Sequence, residues 1–268
     1  MMRPRTRRGG VRGRPGDRPG GRPMARPPNR AYTFWILAAP GSKIVAVPAL
    51  GPAPMKTKVL EAMPLGEGQT RLVLEDTGGY LASHVQPGQY CMLGMAKGPA
   101  SPFALMSTPN EASLSFLIRD QGEPGQSLAA AQPGDEVEVG SPQGPGFDLA
   151  ACAGRDVVLV ATGTGIAPIR AALTSMLQDR GTYGAISLYY GLRNRSHCAV
   201  EEELPAWIEA GISVRLHFSD SCEGYVQDRV TAELADPSTR AYVVAGHRGV
   251  ADVLRAHANG QGPVVENL

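Results

Sequence analysis

The chain is short of several things, and each shortage narrows its chemistry. Its four cysteines, Cys91, Cys152, Cys198 and Cys222, lie far apart and form no C-x-x-C pair. A zinc site or iron–sulfur cluster built from them is not expected, and scattered thiols suit a reducing, cytoplasmic setting. No cysteine follows Cys222, which argues against a C-terminal iron–sulfur centre. No run of about 18 apolar residues occurs, so no membrane span is expected. The apolar stretch at residues 34–39 is too short and is broken by Pro40, Gly41, Ser42 and Lys43. No Ser/His/Asp or paired-carboxylate arrangement is evident, and the five histidines show no ligand spacing. No residue is therefore assigned as catalytic, and none as a metal ligand. No internal repeat is present.

Acidic residues are scarce at one end only. Residues 1–30 hold ten of the 26 Lys and Arg but a single acid, Asp17, out of 25. The other 238 residues keep 16 basic and 24 acidic side chains, a formal net of −8. An acidic body argues against nucleic-acid binding by the folded part. The Arg/Gly/Pro-rich segment buries too little to fold and is expected to be disordered. Three readings of it stand open. It is an organelle-targeting extension, which would make the address plastid; or an Arg-Gly tail that binds RNA; or an upstream stretch that is not translated. The third is favoured, because Met55-Lys56-Thr57-Lys58-Val59-Leu60 opens directly into a strand.

A length of 268 residues accommodates two domains. Residues 55–150 read as all-β. Residues 69–75 alternate, residues 90–95, 114–119 and 136–140 are strand-like, and Pro-Gly turns precede two of them. Short strands separated by Gly/Pro turns predict a small antiparallel β-barrel. Residues 151–268 alternate strand and helix: strands at 157–161, 185–190, 212–218 and 241–245, helices from Ala167, over 201–210 and over 251–257. That pattern predicts an α/β domain with a parallel sheet, helices on both faces, and ligands beyond the carboxyl ends of the strands. Those ends are residues 162–165, 191–193, 219–220 and 246–247.

The most telling stretch is Val157-Val158-Leu159-Val160-Ala161-Thr162-Gly163-Thr164-Gly165-Ile166-Ala167-Pro168. An apolar run stops at Gly-Thr-Gly and restarts as a helix. Glycines let backbone approach an anion, and the first helical N–H groups and the helix dipole favour negative charge. Pro168 suits the first turn. The segment is neither G-x-G-x-x-G, since Pro168 takes the third glycine position, nor a Walker loop, since no Lys-Ser/Thr follows. Taken alone it is also compatible with an ordinary strand–helix turn.

Five segments in order resemble the ferredoxin–NADP reductase-like family of FAD/NAD(P)-binding oxidoreductases across residues 55–268. The Gly-Thr-Gly-Ile-Ala-Pro turn is one. Residues 140–147 are similar to the family's domain-joining G-P-x-G-x-x-F, Tyr190-Gly191-Leu192-Arg193 to its Y-G-x-R, Glu203-Leu204 to the E-L after it, and Tyr242-Val243-Val244-Ala245-Gly246 to its Y-V-C-G. Within the family the chain looks closest to the plant fruit-protein type and bacterial relatives. The resemblance implies an FAD-binding-type β-barrel at 55–150 and an NAD(P)-binding α/β domain at 151–268. It also implies hydride and electron transfer between NAD(P)H and a bound or exchangeable flavin, then to an acceptor, in some cases a protein. On this reading Thr162, Gly163, Thr164, Gly165, Ile166, Pro168, Gly191, Arg193, Ser219, Asp220 and Gly246 bind the nicotinamide nucleotide.

The chain also departs from the family. The flavin motif is R-x-Y-S/T; with Ser107 at its last position, Ala104 stands where Arg meets the pyrophosphate and Met106 where Tyr stacks. Phe103, Ala104, Leu105, Met106 and Ser107 are the flavin-side candidates, although Phe103, Leu105 and Met106 also read as core. Gly122, Gly125 and Ser127, ahead of a helix at 127–131, are a second phosphate candidate. Ala245 replaces the family cysteine. Ser219-Asp220 replaces the Ser-Arg of NADP-preferring members, and a carboxylate repels a 2′-phosphate, which favours NADH; Arg193 and Arg195 pull the other way. The alternative function is a flavin-free NAD(P)-binding module with a regulatory or partner-binding role.

Overall fold

The structure, a computed structural model, describes the backbone of Thr33–Trp35 and Ala46–Pro48 and residues 54–76, 79–221 and 224–267. The expectations for residues 1–30 and for Cys222 fall outside these. Strand β1 (Thr33–Trp35) pairs antiparallel with β2 (Ala46–Pro48).

Six strands then form one antiparallel sheet. They are β3 (Met55–Pro64), β4 (Gln69–Leu74), β5 (Tyr90–Met95), β6 (Ser101–Ala104), β7 (Leu114–Arg119) and β8 (Glu136–Val139), in the order β6-β5-β8-β3-β4-β7. A bridge between Leu105 and Phe116 joins the two ends and closes a barrel, which removes the exposed edges. Alternate residues fill its interior, with Leu72, Leu74, Leu93, Phe116, Ile118 and Val137 all fully buried. The short helix α1 (Gly125–Ala129) begins two residues earlier than the 127–131 expected, and its Leu128 packs into that interior.

The second half is a parallel sheet of β9 (Asp156–Thr162), β10 (Ile186–Leu192), β11 (Ser213–Phe218), β12 (Arg240–Ala245) and β13 (Val264–Glu266), ordered β11-β10-β9-β12-β13. Both faces are covered, which explains the unbroken apolar run in β9. Val157, Leu159 and Ala161 pack with α2 (Ile166–Gln178) and α3 (Leu204–Glu209). Val158 and Val160 pack with α4 (Val226–Glu233) and α5 (Arg248–Ala258). The strand order reverses beside β9, so its carboxyl end is the topological switch point at which such sheets bind ligands. Helix α3 starts at Leu204 rather than at residue 201. Pro205 sets the start, and the Glu203 carboxylate is drawn to Arg170. Helix α4 and strand β13 have no counterpart among the elements expected from the sequence. Strand β8 ends at Val139 and β9 begins at Asp156. No helix of the described residues is long and apolar enough to cross a membrane.

Barrel and parallel sheet meet along a polar seam. Arg170, in the second turn of α2, is its hub, with a side chain only 12% exposed. Its Nη1 donates to the Met106 carbonyl at 3.1 Å and to Glu111 at 2.7 Å, both on the barrel side. Its Nε donates to Glu203 at 2.9 Å. A second contact joins the β3–β4 turn to the segment after β10: the Glu67 N–H donates to the Ser196 carbonyl at 2.6 Å and Gln69 Nε2 to the His197 carbonyl at 2.8 Å. A third is Asn267 Nδ2 donating to the Gly88 carbonyl at 3.2 Å.

Removing Arg170 would leave two carboxylates and a carbonyl facing one another. Arg170→Ala is expected to lower the unfolding free energy by about 2–3 kcal/mol, below the range for a fully buried pair because both glutamates are partly exposed. Lysine cannot fork to three acceptors, so Arg170→Lys should recover only part of the loss. Urea unfolding monitored by circular dichroism measures both, and unchanged midpoints would show that the seam does not depend on this side chain.

Candidate nucleotide-binding site

The site is built where β9 gives out. Beyond Thr162 the chain turns through Gly163, whose φ of +53° is left-handed, and one tight turn at Gly163–Gly165 leads into α2. No side chain caps the amino end of α2, which leaves that end to an anion. Two close approaches fix the turn. A Cβ on Gly165 would collide with the Ala245 carbonyl, and one on Gly246, at φ +124°, with Thr162 Oγ1. Glycine at both positions lets the ends of β9 and β12 come together. Thr162 Oγ1 accepts the His247 N–H at 2.8 Å. The buried Tyr190 hydroxyl donates to the Gly163 carbonyl at 3.1 Å, and desolvation pushes its pKa up, so it stays a donor.

Three cavities adjoin this turn. The largest, about 900 Å³, has one wall from the barrel (Tyr90, Phe103, Ala104, Leu117) and one from the α/β half (Thr164, Gly165, Pro168, Gly246). A second, about 500 Å³, lies over the ends of β10 and β11, between Gly191, Ser219, Tyr225 and His247. A third, about 160 Å³, is bounded by Arg119, Gly163, Thr164, Arg193 and His197. It shares Thr164 and Arg119 with the first and Gly191 with the second. The two larger volumes lie in the range of ligand and cofactor sites.

Most of the expected residues fall on these walls. Thr164, Gly165, Pro168 and Gly246 line the large cavity, Gly163 and Arg193 the small one, Thr162 and Ser219 the second, and Gly191 both of the latter. Phe103, Ala104, Gly122 and Gly125 line the large cavity. Ile166 is fully buried in the core beneath the turn.

Other expected residues are not brought to the cavities. Leu105, Met106 and Ser107 are fully buried. The chain leaves the wall at Leu105, whose N–H donates to the Gln89 carbonyl; the Met106 N–H goes to the Ser115 carbonyl. Ser107 Oγ accepts the Ser115 N–H at 3.1 Å. The segment on the wall is Ser101–Ala104, three residues earlier than the motif alignment on Ser107 implies. Ser127 is also turned away, its hydroxyl donating to Glu123 at 2.7 Å. Asp220 sits at the rim with its backbone N–H on the Arg193 carbonyl, accepts from Asn194 at 3.3 Å, and lies 3.9 Å from Arg193 Nε.

Arg119 and Tyr225 are wall residues that do not follow from any motif. Arg119 follows Leu117 by two on β7 and so shares its face. Tyr225, 66% exposed, presents a ring to the second cavity, beside Gln227. The findable signal is positional: a cation ending a strand, and an aromatic just after a strand-end loop.

Comparison with known proteins agrees with this geometry. Residues 159–256 match the family model for the oxidoreductase NAD-binding domain. The chain is 26% identical to the gamma subunit of sulfhydrogenase 2 of Pyrococcus furiosus over 132 residues, 49% of this chain and 46% of that protein. It is 28% identical to the ferredoxin–NAD(+) reductase component of the alkene monooxygenase system of Xanthobacter autotrophicus, over 69% of this chain and 59% of that protein. The chain thus spans about half the length of these relatives. Its fold is similar to that of a ferredoxin NADP+ reductase from Neisseria gonorrhoeae solved with bound FAD and NADP, with a TM-score of 0.68 and 15% identity over 80% of this chain and 98% of that one.

The packed turn carries its own test. A methyl group at Gly165 must push β9 and β12 apart, so Gly165→Ala is expected to weaken NADH binding about tenfold or more, since ångström-scale displacements at a site commonly cost that much. Titration calorimetry reads this, and unaltered affinity would mean the close approach is irrelevant to binding. The sequence match shows that residues 159–256 carry an oxidoreductase NAD-binding domain, and the fold is similar to that of ferredoxin NADP+ reductases.

Proposed function

We propose that this chain passes reducing equivalents from a nicotinamide nucleotide to a flavin and from there to an acceptor, a protein being one class that fits. The observation that carries the reading is the large cavity, walled on one side by the barrel and on the other by the glycine turns of the α/β half. A site made from both halves can hold two planar groups against each other. The flavin, when bound, supplies hydride acceptance and onward electron transfer.

The chain's own residues would divide the work. The Gly163–Gly165 turn and the amino end of α2 would take the nucleotide's phosphates. The exposed Tyr225 ring would offer the adenine a stacking face, and Ser219 a hydroxyl for the ribose. Gly246, lacking a side chain, would let the nicotinamide enter the large cavity. There Phe103 would pack on the flavin ring. Moving the flavin-motif match to the wall segment retains the aromatic, as Phe103, and puts Ser101 at the arginine position and Ala104 at the hydroxyl position. Fit is therefore good for the ring. Loss of the arginine is the one feature that favours the alternative, a nicotinamide-binding module without flavin.

NADH is the proposed nicotinamide partner. Asp220 sets a carboxylate at the rim, engaged by Asn194 and close to Arg193, and a 2′-phosphate would have to displace those partners beside a negative charge. Asp220→Arg is expected to raise the NADPH-to-NADH ratio of kcat/KM by about tenfold or more, because a charge-assisted hydrogen bond to the 2′-phosphate then replaces a repulsion. An unaltered ratio would mean Asp220 does not read the ribose. The overall reading is tested by NADH oxidation with an artificial electron acceptor, with and without added FAD. Activity that rises with FAD and falls about tenfold in Phe103→Ala is expected, in line with losing a stacked aromatic partner. NADH binding without any flavin-stimulated turnover would select the flavin-free alternative.

A further inference from the structure

The large cavity has an uneven chemistry. Where the flavin ring would lie, its wall is apolar and aromatic: Tyr90, Met92, Phe103, Leu117 and Pro145. Where a phosphate tail would lie, Gly122 and Gly125 offer backbone only, and the charged side chains cancel. Ser101 stands at the position of the motif arginine. Arg119 and Glu123 are the only charged side chains on the wall among the described residues, one of each sign. Ser127, the nearby hydroxyl, is spent on Glu123 rather than turned to the cavity. Helix α1 is only five residues long and offers little dipole to an anion.

A flavin's pyrophosphate carries two negative charges, and its affinity normally comes from charge-assisted hydrogen bonds. A carboxylate in the same wall opposes such charges, and one guanidinium does little more than offset it. The ring, by contrast, finds stacking and apolar burial from a complete set of partners. We infer that this site reads the isoalloxazine ring and is blind to the phosphate tail, so that riboflavin, FMN and FAD bind alike and exchange freely. This rests on the flavin reading above and adds to it the ligand class: any flavin, rather than FAD as a resident group. Selectivity then lies in the barrel wall at Phe103 and Leu117, while the tail-side residues, Ser101 with no charge and Glu123 offset by Arg119, add no net attraction for the tail.

Titration of the purified chain with riboflavin, FMN and FAD, followed by quenching of flavin fluorescence, tests this without turnover. The three dissociation constants are expected to agree within about tenfold, a spread of one decade or 1.4 kcal/mol. FAD binding more than about tenfold tighter than riboflavin would overturn the inference while leaving the flavin reading intact. Two variants bear on the same point. Ser101→Arg should tighten FMN and FAD by about tenfold and leave riboflavin where it is, because only the phosphorylated ligands offer the new guanidinium an anionic acceptor. Glu123→Gln, an exposed and conservative change, should shift the FAD-to-riboflavin ratio the same way by about two- to fivefold, as expected for a solvent-screened charge. Ratios that stay fixed in both variants would show that neither side chain faces a tail. If no flavin binds while NADH still does, the flavin reading itself falls.

Discussion

Arg170 holds the molecule's two halves in register. Its guanidinium has three acceptors in three places: the Met106 carbonyl just past the barrel wall, Glu111 in the loop that follows, and Glu203 at the start of α3. It stands five residues beyond Gly165 on the helix that the glycine turn opens, and Met106 lies three residues beyond Phe103. One side chain therefore ties the end of the flavin-facing wall to the start of the nucleotide-facing helix. Planar, always charged and five-fold donating, arginine suits such a three-way junction.

Within that frame, function depends on backbone approaching backbone. The ends of β9 and β12 come together because Gly165 and Gly246 carry no Cβ, and the Thr162 hydroxyl accepts the His247 N–H just beyond β12. The small cavity, which shares Thr164 with the large one and Gly191 with the second, lies between them at the turn. On the proposed reading a nucleotide would set its phosphates at the glycines and a planar group in each of the two larger cavities. Chemistry then rests on placement, which is consistent with the lack of any assigned acid–base residue.

Much of this was legible in the sequence, and the reasons are specific. Strand β9 announced itself because burial on both faces demands an unbroken apolar run, and the switch from that run to Gly-Thr-Gly marked the turn. The barrel was legible through alternation and Pro-Gly turns. The flavin-side register was not. Ser107 looked like a motif hydroxyl, yet it sits in the core on the Ser115 N–H, and the wall lies at Ser101–Ala104. A four-residue pattern that keeps only its aromatic slides easily, and only the strand pairing of Tyr90 with Ala104 pins it. Helix α4 escaped notice because it buries just Val226 and Val230. Arg119 and Tyr225 escaped because a wall assembled from distant strands leaves no local pattern. The Arg170 hub joins residues up to 64 apart in sequence, a distance that no local spacing reveals.

On the proposed reading, a nicotinamide nucleotide at the Gly163–Gly165 turn and a flavin against Phe103 would meet in one cavity. Anaerobic rapid mixing of the flavin-loaded chain with NADH tests it most directly. The visible flavin absorption is expected to bleach at a rate that saturates with NADH. A flavin that binds yet keeps its absorption at saturating NADH and NADPH would contradict it.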